Sequence, residues 1–101
     1  MSVFGKRLKK LREAAGLTRT QLGIDAGLDE ASVSARMSQY ESGKHLPELR
    51  VITKIGKVLD APAAYFFAEF DELAELVLWY HRASPNKRKA VLRATKTNSV
   101  K

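Results

Sequence analysis

An all-α fold is what this sequence predicts, and three observations carry that reading. Apolar residues recur at three- and four-residue steps in one segment after another. No stretch shows the period of two that a half-buried strand requires. Capping residues and glycine or proline stops separate the periodic runs at helix-length intervals. The 101 residues allow one small domain with a short extension.

The first helix is expected over about residues 2–15, with Phe4, Leu8, Leu11 and Ala15 on one face. Lys6, Arg7, Lys9, Lys10 and Arg12 fall on its other faces, and Gly16 is its stop. Thr18 and Gln21 then fit a capping box with Leu17 and Leu22 as the staple around it, so a second, short helix runs to about Ala26 and ends at Gly27. Leu28 and Asp29 offer the next apolar residue and N-cap, opening a third helix that ends before Gly43, with Val33, Met37 and Tyr40 sharing a face. After Pro47 a fourth helix spans about residues 48–59, its inner stripe Leu49, Ile52, Ile55, Val58 and Leu59. Asp60-Ala61-Pro62 restarts the chain as a short fifth helix through Phe67. A sixth follows over about residues 69–83, and Ser84-Pro85 caps a last one through about Lys96. Residues 97–101 are expected to be a disordered tail.

Composition removes several classes of function. With no cysteine there is no disulfide scaffold, thiolate metal site or thiol nucleophile. His45 and His81 lack metal-ligand spacing, no glycine-rich phosphate loop is present and no Gly-x-Ser-x-Gly occurs. No enzyme, catalytic residue, metal or cofactor is therefore expected. The longest uncharged runs, Ala61–Ala68 and Leu76–His81, fall far short of the ~20 apolar residues of a membrane span, and basic residues interrupt the N-terminus where a secretory signal would be apolar. The expectation is a soluble, cytoplasmic protein with no membrane partner.

The net charge of +7 is unevenly placed. Residues 1–50 carry nine Lys/Arg against six Asp/Glu, residues 51–80 two against five, and residues 81–101 seven against none. The basic excess points toward nucleic acid. The basic C-terminal run reads equally as a solvated helix or as a direct contact to phosphate.

Two short helices joined by a glycine-containing turn make a helix-turn-helix. Arg7-Leu8-Lys9-Lys10-Leu11-Arg12-Glu13, Gly16-Leu17-Thr18, Gln21-Leu22-Gly23, Gly27-Leu28, Tyr40-Glu41-Ser42-Gly43-Lys44, Pro47 and Leu59-Asp60-Ala61-Pro62 occur in an order and at spacings that resemble the lambda-repressor/Cro-like, or XRE-type, helix-turn-helix family. The resemblance runs from about Phe4 to Phe67. It implies a five-helix DNA-binding domain over residues 1–67, leaving 68–96 as a C-terminal helical extension of two helices. Gly23 would lie where the second helix crosses the third, and Leu8, Leu11, Leu22, Leu28, Met37, Ile52 and Ile55 would supply the core. Arg12 and Glu41 match a structural ion pair of the family.

One departure stands out. Twelve residues separate Gly27 from Tyr40, where the family has about eight. The four extra residues, close to one turn of 3.6, either lengthen the recognition helix or widen the turn before it. Asp29 as N-cap, with Glu30 at the positive helix end, favours the longer helix. Either way two acids enter the region where phosphates pass.

By the resemblance, double-stranded DNA is the partner, with Thr18 and Arg19 meeting a phosphate at the start of the second helix and Lys44 on the opposite flank, where His45 could join it. Ser34, Ala35 and Gln39 take the base-facing positions in the major groove, with Arg36 and Ser38 on the same helix. Gln39 suits adenine, Arg36 guanine or phosphate, and Ala35 only a thymine methyl. A homodimer on a palindrome is the family's common form. Phe66, Phe70, Leu73, Val77 and Tyr80, with Leu76 and Trp79 alongside, either cap the core or present a dimer contact. The resulting expectation is a transcriptional regulator that represses by occupying its operator. The alternative is an antitoxin or interaction module of the same fold whose main partner is a protein.

Overall fold

A computed structural model describes residues 2–97. Helix α1 (Val3–Ala14) opens where Ser2 Oγ accepts the Gly5 amide at 3.0 Å, a side-chain N-cap. Its buried face is Phe4, Leu8 and Leu11. Gly5 lies so close to the Glu41 carbonyl that a Cβ there would overlap it, so α1 meets the third helix nearly backbone to backbone. Helix α2 (Arg19–Asp25) is capped by Thr18 Oγ1 on the Gln21 amide at 3.0 Å, as the capping signal predicts. Gly23 is buried against Val33 and Met37, and any side chain there would strike Val33 Cγ2, so the predicted close crossing of the second and third helices is present.

The extra four residues do not extend the recognition helix. Helix α3 (Val33–Ser42) begins at Val33, and residues 29–32 form a turn in which the Ser32 amide donates to the Asp29 carbonyl at 3.0 Å. Asp29 caps nothing, contrary to the expectation; Ser32 is the N-cap residue and makes no side-chain cap bond. Helix start is decided by Val33 instead. It is 2% exposed against Gly23, and placing it inside fixes where the helical phase begins.

Helix α4 (Leu49–Leu59) buries Val51, Ile52, Ile55 and Leu59, while Leu49, expected inside, is 67% exposed. At ~100° per residue Leu49 lies about 90° from the centre of the buried arc and Val51 only about 70°. The five residues Ala63–Phe67 form a 3₁₀ turn rather than an α-helix, since Pro62 and the extended Ala68 leave no length for i→i+4 bonding. That turn places Tyr65 and Phe66 in the core, with the Phe4 and Phe66 rings 5.5 Å apart.

Arg7, expected on an outer face of α1, is buried, as is Arg12, the arginine of the expected ion pair. Arg7 donates through Nε and Nη2 to the Ala68 carbonyl and through Nη1 to Asp71 at 2.7 Å, tying α1 to the start of α5 (Asp71–Arg82). Ala74 is the one buried residue of α5. Of the stripe read along this helix, Leu73 and Val77 pack against the core while Phe70 is 59% exposed, and Leu76 and Trp79 are exposed as well.

Two further anchors hold the C-terminal helices to the body. Arg82 donates to the carbonyls of Leu59 and Asp60, both at 2.9 Å, and half-buried His81 lies 3.3 Å from the Asp60 carboxylate. Helix α6 (Pro85–Thr97) starts with proline at its first position and has no buried residue among the described side chains. It leans on α5 through Arg88, which donates to the Tyr80 and His81 carbonyls and sits 5.4 Å over the Tyr80 ring. The hairpin draws the molecule out to 51 × 25 × 22 Å, with a radius of gyration of 15.4 Å. A compact chain of 100 residues has about 13 Å. Of the tail expected at 97–101, Thr97 ends α6 and the rest lies outside the described residues.

Candidate nucleic-acid interface

The inward side of α3 is Val33, Met37, Tyr40 and Glu41, all buried. At ~100° per residue the remaining arc belongs to Ser34, Ser38, Ser42, Ala35, Gln39 and Arg36. Ser34, Ala35, Arg36 and Ser38 are exposed and Gln39 is half-buried. The five α3 residues expected to face DNA therefore share one continuous outward surface.

Open notches flank that surface on both sides. One is lined by Lys9, Thr18, Arg19, Thr20 and Ser34, bringing the predicted phosphate contacts at the start of α2 beside the N-terminal end of α3. The other is lined by Arg36, Gln39, His45, Glu48 and Arg50, between α3 and the start of α4. Lys44 is exposed in the loop after α3, its amide 3.4 Å from Ser42 Oγ. Lys9 and Arg50 were not singled out by the sequence. Lys9 looked like one of several solvated lysines on α1, and Arg50 carries only the weak signal of a cation in the first turn of a helix. Asp29 and Glu30 are exposed in the turn leading into α3 and line neither notch.

Arg12 and Glu41 form the expected pair, fully inside the body. Arg12 Nε donates to Glu41 Oε2 at 2.5 Å, Nη2 to Oε1 at 3.2 Å, and Nη1 to the Leu17 carbonyl at 2.8 Å. A third member was not expected: Arg19 Nε donates to the same Oε1 at 3.0 Å. One buried carboxylate thus serves two arginines, one inside and one at the surface.

Among the described residues no group of His, Asp or Glu side chains gathers as a metal site would need, and no helix is long and apolar enough to cross a membrane.

Comparison with known proteins agrees with this geometry. A family model described as a helix-turn-helix domain matches residues 3–65. A curated relative, the uncharacterized HTH-type transcriptional regulator RghRB of Bacillus subtilis (strain 168), is 38% identical over 63 residues, 61% of this chain and 42% of that protein. The chain therefore aligns with less than half the length of that relative. A crystal structure of the transcriptional regulator BswR superposes with a TM-score of 0.84 at 42% identity and covers 92% of each chain, so the likeness includes the C-terminal helices. With the family model matching well over half its length, this chain belongs to the helix-turn-helix domain family.

Proposed function

We propose that the protein is a sequence-specific, double-stranded DNA-binding regulator that acts as a two-fold dimer and represses by occupying its operator. Residues 1–67 are read as the DNA-binding domain and 68–96 as the dimerising extension. The observation that carries the reading is the outward arc of α3, polar and unburied, with a basic notch on each side. Arg19 and Lys9 on one flank, and Arg36, Lys44 and Arg50 on the other, would neutralise phosphates. Ser34, Ala35, Ser38 and Gln39 would face the bases, with Gln39 the side chain best suited to a bidentate pair with adenine. Such a short reading surface suits short half-sites supplemented by DNA shape.

Dimerisation is supported by the hairpin. Leu76, Trp79 and Leu92 are 43–55% exposed. Glu69, Glu72 and Glu75 make no ion pair within the described chain, nor do Lys87, Lys89 and Lys96. A second hairpin packed on the first would cover the apolar side chains and set the acidic helix against the partner's basic one. The same patch suits a protein partner of another kind, which keeps the antitoxin-like reading as the second one.

Selection from a randomised duplex pool at about 150 mM salt tests the proposal. An enriched palindrome with half-sites about one helical turn apart is expected. Gln39→Ala should relax one base position of that site and cost about 1–3 kcal/mol of discrimination there. Enrichment of nothing, together with binding that disappears as salt rises, would overturn sequence-specific binding and turn the search to a protein partner.

A further inference from the structure

We infer that Glu41 is a positioning residue for DNA binding: its carboxylate, shared between Arg12 and Arg19, aims the Arg19 guanidinium at a phosphate of the DNA backbone. The inference rests on the DNA-binding reading above.

The geometry of the three side chains supports it. Glu41 is 3% exposed and Arg12 10%, while Arg19 is 49% exposed at the mouth of the notch that Lys9, Thr18, Thr20 and Ser34 also line. Arg12 holds the carboxylate from within, through two nitrogens, and is itself held by the Leu17 carbonyl. The carboxylate is therefore a fixed point, and Arg19 is attached to it by Nε alone. A guanidinium has five N–H donors, and the four on its terminal nitrogens form the fork that matches a phosphate. Held at Nε, Arg19 keeps that fork. The charge also favours this use. Arg12 inside is balanced by the buried Glu41, and Glu13, 4.0 Å from Arg12, also lines the notch, so the cations at its mouth are the exposed Arg19 and the half-buried Lys9.

A surface arginine that is already oriented loses less conformational freedom on binding than one that sweeps through its rotamers. Lysine at the same position would supply the charge without the fork or the Nε anchor. The inference therefore separates charge from orientation, which a solvated arginine does not.

The test uses the full chain and one fixed 20-base-pair duplex, with affinity measured across a range of KCl concentrations. Arg19→Lys should bind about three- to tenfold more weakly with the salt slope unchanged. Arg19→Gln should lower the slope by about 0.9, the value of one phosphate contact. Glu41→Gln should weaken binding by about the same three- to tenfold, and should add nothing when Arg19→Gln is already present. The direction is the discriminating feature, because removing a negative charge beside DNA otherwise strengthens binding. In the free protein the Arg19 Nε–H should give a distinct, slowly exchanging NMR signal that Glu41→Gln abolishes.

Equal binding by Arg19→Lys, or tighter binding by a folded Glu41→Gln, would overturn the inference. If Glu41→Gln does not fold, Arg19→Lys decides alone, since that side chain lies at the surface. Failure of the unmodified protein to bind any duplex would instead remove the DNA-binding reading, and this inference with it.

Discussion

From α1 to Ala68 every helix contributes side chains that solvent does not reach, among them Phe4, Leu8, Leu22, Met37, Ile55 and Phe66. Beyond that point α5 buries only Ala74, and α6 buries no described side chain. The hairpin nevertheless carries Leu76, Trp79 and Leu92. Both regions are helical and capped, so the contrast is not one of secondary structure. It is one of neighbours: five elements converge on the body, whereas the hairpin has one side on the body and the others open. Helices this short owe most of their stability to tertiary packing. The body supplies that packing to itself, whereas the hairpin draws it from Leu73, Ala74, Val77 and Leu78 on one side of α5 and from the Arg7–Asp71 and Arg82 ties, with Arg88 joining α6 to α5.

Three experiments break or sharpen that contrast. The largest effect is expected in the body. Ile55 is fully buried, and Ile55→Ala should cost about 2–5 kcal/mol in urea unfolding. A cost below about 1 kcal/mol would mean the body has no rigid core there.

Next comes the hairpin. Leu76→Ser with Trp79→Ser should leave unfolding of the monomer within about 0.5 kcal/mol of the native value, because neither residue has an interior to leave. The same pair should weaken self-association by about 2 kcal/mol, read by sedimentation, if these residues anchor a dimer. Unchanged association would move the dimer contact elsewhere.

The smallest effect concerns the joint between the two regions. The hydrogen bond from Arg7, aided by the charge of Lys6, holds the Asp71 carboxyl below the ordinary carboxylate range. A carboxylate depressed by folding adds stability above its unfolded value of about 3.9, and that increment is lost as pH falls through the lower folded value. The melting temperatures of the native protein and Asp71→Asn should therefore differ at about pH 6 and converge near pH 2. Asp71 is 60% exposed, so the difference is small. A gap that persists at low pH would show that Asp71 acts by packing rather than charge.

What could be read in the chain follows a physical division. The caps at Thr18 and Ser84, the stop at Gly27 and the crossing at Gly23 are local or nearly so, and each is where its signal places it. The outward residues of α3 were legible because helical phase separates Val33, Met37 and Tyr40 from Ser34, Ala35, Ser38 and Gln39, and the family resemblance made the outward ones candidates for facing DNA. Misreadings came where a local preference met a distant partner. Asp29 is a good N-cap by type, yet packing of Val33 on Gly23 starts the helix four residues later. Leu49 has the right character for the core and the wrong angle, and Phe70 falls in the gap before α5 where the body no longer covers it.

Charged residues divide along the same line. The +7 balance and its basic ends belong to composition, and they point toward an acidic partner before any coordinate is known. The all-α class and the family likewise follow from the chain, since periodicity, caps and the ordered motifs are properties of short segments, although the expected fifth helix is a 3₁₀ turn. Only the tertiary structure decided that Arg7 lies inside on the Ala68 carbonyl, that Arg19 shares the Glu41 carboxylate with Arg12, and that only one side of α5 packs on the core. A charged side chain is buried when a partner from a distant part of the chain meets it in space, and no local pattern of residues carries that meeting.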